Sequence, residues 1–127
     1  MWIADIATSE SIPRKFLDAI LLELKHSGFV ASRIGRSGGY RLAMPPEEIA
    51  IGEVIRTLDG PLAPLPCASR TAYRPCADCK DVDNCLVRKA MLEARDAMSR
   101  ILDPLSLFDL CRSDRKSSSE DSPTCRI

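Results

Sequence analysis

Apolar residues in the first sixty positions recur at helical spacing in three short runs, with one strand-like stretch between the second and the third. Residues 3–9, IADIATS, have helical character, and Glu10 to Ile12 break the run. Phe16, Leu17, Ile20, Leu21 and Leu24 then follow at intervals of one, three and four. A helix places them on one face, with Arg14, Lys15, Asp18 and Lys25 on the other. Ser11 is expected to accept a hydrogen bond from the free amides of the first turn, where Pro13 is tolerated because its missing N–H would have no intrahelical partner. The helix should reach about Ser27, and Gly28 should end it. Phe29 to Arg33 and Tyr40 to Ala43 read as strands around a loop, Ile34 to Gly39, that holds Gly35, Gly38 and Gly39, which predicts a β-hairpin with a basic tip. Beyond Pro45 and Pro46 a third short helix spans Ile51 to Leu58, with Ile51, Val54, Ile55 and Leu58 inward, and Asp59-Gly60-Pro61 stops it.

Residues 61–84 are rich in proline and poor in apolar side chains, so this loop is expected to be ordered only when something binds it. From Cys85 to Leu102 the apolar positions Leu86, Val87, Ala90, Met91, Ala94, Ala97, Met98, Ile101 and Leu102 form a long helical stripe. Lys89 with Glu93 and Asp96 with Arg100 stand four apart on its polar side, and Asn84 or Asp83 is expected to cap it. A stripe this long on a small chain needs a second surface, and the simplest source is the same helix of a twofold mate. After Leu110 the sequence turns polar and low in complexity and is expected to be disordered. The expected fold is mainly α with a small β-hairpin: a winged helix-turn-helix over residues 1–60, a cysteine-rich loop over 61–84, a dimerisation helix and short segment over 85–110, and a tail over 111–127.

With 127 residues and 45% apolar content, the chain can build one modest core with appendages. Lys and Arg number 18 and so do Asp and Glu, so net charge is silent about partners. The local balance is informative. Between Ile12 and Arg41 the bases Arg14, Lys15, Lys25, Arg33, Arg36 and Arg41 face only Asp18 and Glu23. Such a surplus on a helix-turn-helix and its hairpin suits double-stranded DNA, the second helix entering the major groove and the wing arginines reaching phosphate or a narrow minor groove. The acidic residues near the start exclude the apolar core of a signal peptide, and no apolar run approaches membrane-spanning length, which leads us to expect a cytoplasmic protein.

Cys67, Cys76, Cys79 and Cys85 fall within nineteen residues. In a reducing compartment such a group is a metal or redox site rather than a set of staples. Thiolate sulfur is a soft anionic donor suited to an iron-sulfur cluster or to zinc, and spacing alone leaves these two open. Cys111 and Cys125 stand apart and are expected to be spare thiols. His26, the sole histidine, is placed to favour a helix C-terminus, and Lys25 to lie on a solvated face. No catalytic constellation or phosphate-cradling motif is present, so an enzyme is not expected.

The segments IADIATSESIPRKFLDAILLELKHSGFV, SRIGRSGGYRLAMPPEEI and IGEVIRTLDGPLAP, followed by a cysteine loop, a long helix and LSLFDL, resemble the Rrf-two family of bacterial transcription regulators over about residues 3 to 110. The resemblance implies a homodimeric winged-helix regulator that senses iron, oxygen, nitric oxide or redox state through an iron-sulfur cluster. By position it implies base reading by Lys15, Asp18 and Ala19, and a wing of Arg33 through Tyr40 that includes Arg36, Ser37, Gly38 and Gly39. Ile34 stands where relatives often have arginine. Cys79 and Cys85 keep the family's five-residue interval, the third ligand being Cys67 or Cys76, or both, and Arg88 takes the place of a histidine some members use. The family's opening helix is missing, which implies a shortened start. Two rival classes remain: a small iron-sulfur or thiol redox protein, and a module that acts only by dimerising.

Overall fold

The computed structural model describes residues 1–117. In chain order these form α1 (Ile3–Ser9), α2 (Arg14–His26), β1 (Val30–Arg33), β2 (Gly39–Leu42), a 3-10 turn (Pro46–Glu48), α3 (Ile51–Asp59), a second 3-10 turn (Pro66–Ala68), α4 (Leu86–Leu102) and α5 (Leu107–Ser117). They make two compact units, Met1–Ile49 with the segment from Ser106 onward, and Ala50–Leu105.

In the first unit α1 and α2 form a helix-turn-helix. The turn is set by Ser11, whose φ of 55° is positive, with the Ile12 amide donating to the Ala7 carbonyl at 3.0 Å. Ser11 is therefore not the cap that its type suggested. Pro13 takes that position, and its carbonyl accepts from Phe16 at 3.0 Å and Leu17 at 3.1 Å with no side-chain cap. Two residues upstream, the Ser11 hydroxyl is too far back along the chain to serve the first turn. The other end follows the glycine rule. Gly28 has φ +82°, its amide donates to Lys25 at 3.1 Å, and the Phe29 amide donates to Leu24 at 2.9 Å. These two bonds are the paired closure of a helix that ends in a left-handed residue.

Leu17 and Leu21 of α2 are buried, as are Val30 at the start of β1 and Ile49, which is 2% exposed. Phe16, expected inward, is 70% exposed. At 3.6 residues per turn it lies about 100° round the helix from Leu17, beyond the edge of the buried stripe. β1 and β2 pair antiparallel in the register Val30 with Leu42, Ala31 with Arg41, Ser32 with Tyr40 and Arg33 with Gly39. Met1 lies along the outer edge of β2: its amine donates to the Tyr40 carbonyl at 2.9 Å and its carbonyl accepts from the Tyr40 amide at 2.7 Å. Gly39, at φ +117°, leaves room for this approach, since a Cβ there would collide with the Met1 carbonyl.

α5 begins where Ser106 and Asp109 cap each other. The Ser106 hydroxyl accepts from the Asp109 amide at 3.1 Å, and the Asp109 carboxylate accepts from the Ser106 amide at 3.1 Å. This reciprocal box starts a helix that runs to Ser117, where the sequence reading placed disorder from residue 111. Cys111 on this helix is disulfide-bonded and so is not a spare thiol; Cys125 lies outside the described residues.

In the second unit α3 packs on α4. Gly52 is the buried position of α3, while Leu58, expected inward, is exposed. The absent side chain at Gly52 makes space for an ion pair: Arg56 donates to both carboxylate oxygens of Asp103, at 2.7 and 3.0 Å, and to Glu53 at 2.8 Å. The hydrogen bond and charge of Arg56 hold the Asp103 carboxyl below its ordinary value. Because the folded value is depressed, this contribution is present above the unfolded carboxyl value of about 3.9 and is lost as pH falls through the folded one. The pair is partly exposed, so about 0.5–1 kcal/mol is expected. Denaturant titrations of wild type and Asp103→Asn should differ by that amount at neutral pH and converge in acid. A gap that persists in acid would refute the role given to this pair.

On α4 the expected ion pairs four residues apart do not form. Asp96 pairs instead with Arg95 and, at 3.4 Å, with Arg70, while Arg100 donates to the backbone carbonyl of Asp96. Arg95 is buried and its Nε has no acceptor among the described residues. Leu86, Val87, Met98 and Ile101, all members of the apolar stripe, are exposed. No helix among the described residues is long and apolar enough to cross a membrane.

Candidate functional site

Two surfaces carry the candidate residues. In the first unit, Arg14, Lys15, Asp18 and Ala19 are all exposed on the first two turns of α2. Phe16 and Leu22 are exposed beside them, so this face presents apolar as well as charged groups. At the hairpin tip Arg33, Ile34, Gly35, Arg36 and Ser37 are exposed, and Ile34 is fully so. Gly38, Gly39 and Tyr40 are half-buried. The Gly38 amide closes the tip onto the Gly35 carbonyl at 2.9 Å, while Gly39 and Tyr40 receive Met1. These three shape the wing, and the arginines project its charge.

The second surface is the cysteine loop of the other unit. Its first half folds back on itself: the Arg74 amide donates to Pro66 at 3.1 Å, and the Ala72 amide to the Ser69 hydroxyl at 2.9 Å. This return brings the Cys76 and Cys67 sulfurs to 3.7 Å, Cys67 buried and Cys76 exposed. The hydrogen bond and negative charge of Cys67, followed by burial and then the charges of Cys79 and Cys85, push the Cys76 thiol up. A second thiolate is costly here unless a cation shares it. The second half is a turn held by Asp81, whose carboxylate accepts from the Asp83 amide at 3.2 Å and from the amide and side chain of Asn84 at 3.3 and 2.7 Å.

The Asn84 side chain is thereby occupied, and neither Asn84 nor Asp83 caps α4. Cys85 does so instead, its Sγ accepting from the Arg88 amide at 3.4 Å. Arg88 ties the loop together from the helix side: its Nε donates to the Cys67 carbonyl at 3.0 Å, and its guanidinium lies 5.9 Å from the centre of the Tyr73 ring. From sequence, Arg88 stands out only as the replacement of a histidine. A long cation one turn into a helix that starts at a cysteine was the available signal. Among the described residues no three Cys, His, Asp or Glu side chains converge closely enough to hold a metal as they stand. The donor set nonetheless matches a soft metal in kind, with Cys67 and Cys76 already together and Cys79 and Cys85 near enough to bear on Cys76.

A family model described as Rrf2, iron-dependent transcriptional regulator, matches residues 1–113. The chain belongs to the Rrf2 family. An rrf2-like HTH-type transcriptional regulator of Rhodobacter capsulatus is 47% identical over 108 residues, spanning 85% of this chain and 72% of the relative. The HTH-type transcriptional regulator NsrR of Geobacillus kaustophilus is 37% identical over 108 residues, covering 85% and 71%. Among solved structures, CymR, the global cysteine regulator of B. subtilis, superposes with a TM-score of 0.68 at 27% identity, over 89% of this chain and 78% of that one. The fold is therefore that of a winged-helix Rrf2 regulator, and the members it resembles are transcriptional regulators rather than enzymes. Membership puts the chain in a family of transcriptional regulators whose relatives include HTH-type regulators.

Proposed function

We propose that this Rrf2 regulator binds duplex DNA as a homodimer, as a repressor, and that its affinity follows the state of an iron-sulfur cluster held by Cys67, Cys76, Cys79 and Cys85. Arg14, Lys15, Asp18 and Ala19 face the major groove, while Arg33 and Arg36, with Ser37, meet phosphate or the minor groove. Two copies associate through the apolar face of α4, which is left open by Leu86, Val87, Met98 and Ile101. The observation that carries the reading is Cys85. One sulfur is both the N-cap of α4 and a donor of the cysteine loop, so whatever binds the loop acts at the start of the helix proposed to pair the subunits. The cluster would supply a redox- and ligand-responsive centre, and the chain would hold it through thiolates with Arg88 fixing the Cys67 backbone. A hundredfold change in DNA affinity needs only about 2.7 kcal/mol of difference between cluster states.

Anaerobically purified protein is expected to be brown, with iron and sulfide in proportion, and to lose that absorption in Cys79→Ser and Cys85→Ser. DNA titrations of loaded and stripped wild type should separate. A colourless protein carrying stoichiometric zinc would replace the cluster with a zinc site. The specific support for zinc is the Cys76-Ala-Asp-Cys79 turn, closed by the Cys79 amide on the Cys76 carbonyl at 3.2 Å. Identical DNA affinity with and without metal would remove the sensing role.

A further inference from the structure

Cys67 and Cys76 are the sulfur pair in contact among the described residues, although spacing along the chain favours Cys76 with Cys79. Their 3.7 Å separation exceeds a disulfide bond by only about 1.7 Å, a shift within reach of side-chain rotation. The backbone has already closed the intervening loop, because the Arg74 amide sits on the Pro66 carbonyl and Arg88 grips the carbonyl of Cys67. The chain entropy that such a cross-link ordinarily costs is thus largely met before the bond forms. Exposure divides the labour: Cys76 is open to a reagent in solution, and Cys67 is 5% exposed, shielded from it but beside its neighbour.

We propose that Cys67 and Cys76 form a reversible disulfide that withdraws two donors from the loop and blocks its reloading with metal. The cross-link concerns the metal-free thiols; only its effect on loading rests on the metal-binding reading. The oxidant is a low-molecular-weight disulfide. Cys76 gives up its proton as it attacks one sulfur of the oxidant, whose disulfide bond breaks to release the first thiolate. The Cys67 thiolate then attacks Cys76 Sγ, forming the protein disulfide and expelling the second thiolate. Two electrons pass to the oxidant, and the two protons given up by the cysteines are taken by the two released thiolates.

The full-length protein, reduced and freed of metal, is incubated without oxygen with glutathione disulfide, alkylated, digested and mapped by mass spectrometry. A peptide joining Cys67 to Cys76 is expected in wild type, Cys79→Ser and Cys85→Ser. It should vanish in Cys76→Ser, and in Cys67→Ser glutathione should be left on Cys76. Zinc uptake, followed with a chromophoric chelator, should fall after oxidation and return with dithiothreitol. A link from Cys76 to Cys79, or glutathione on all four cysteines with no link, overturns the proposal. A reduced chain that takes up neither iron nor zinc counts against the metal site while the cross-link stands, so the two failures are told apart.

Discussion

Lys15→Ala is expected to change which DNA sequences the protein prefers, and Arg36→Ala to weaken all of them alike. Lys15 is exposed in the first turn of α2, where a recognition helix meets base edges. A direct contact to a base is worth about 1–3 kcal/mol of discrimination, or roughly five- to more than a hundredfold in relative affinity. Arg36 sits exposed at the tip of the wing beside Ser37, where the backbone is formed by glycine turns, and the partners proposed for it are phosphates or the minor-groove floor. Its removal should lower the slope of log affinity against log salt by about one. Parallel titrations on two operator variants at several salt concentrations read both quantities. The same salt slope and the same ranking of operators in the two mutants would contradict the division of labour between helix and wing.

Gly52→Val should destabilise the Ala50–Leu105 unit by about 2–3 kcal/mol, a size typical of overpacking at a closed position. A Cβ at this site falls on a carboxylate oxygen of Asp103 and 3.2 Å from Arg56 Nη1. A free aspartate would swing aside. Asp103 is held at both oxygens by Arg56, so it yields only by giving up that pair. Helix propensity alone argues the other way, since glycine is the weaker helix former by roughly 0.5 kcal/mol or less against valine. The steric term is the larger one. Denaturant unfolding of the single mutant and of Gly52→Val with Asp103→Ala measures the coupling: shortening Asp103 should return part of the loss. An unchanged midpoint in Gly52→Val would show that the site has room the geometry does not admit.

Periodicity and glycine placement were enough to find α1 to α4 and the wing. Leu17 and Leu21 form a stripe at helical spacing, and Gly28 and Gly39 occupy conformations other residues avoid, so both signals are local and survive folding. Element ends were harder, because capping is a competition. Asp81 takes the amides of Asp83 and Asn84, which leaves Cys85, a poor cap by type, as the residue at the start of α4. The capping box of α5 was present in the sequence as Ser106 and Asp109, but a polar tail following it reads as disorder. The approach of Cys67 to Cys76 had no local signature. It depends on a carbonyl at Pro66 meeting an amide at Arg74, a pairing through space that the intervals between cysteines do not encode.

The backbone bonds between Met1 and Tyr40 bear on how the protein behaves at high concentration. A two-stranded hairpin offers a bare row of amides and carbonyls to any extended peptide, and such rows seed association between copies. Here the outer side of β2 is already engaged at its midpoint, and glycine at position 39 permits that engagement. The outer side of β2 in the wing is in this way denied to other chains as a template for strand addition.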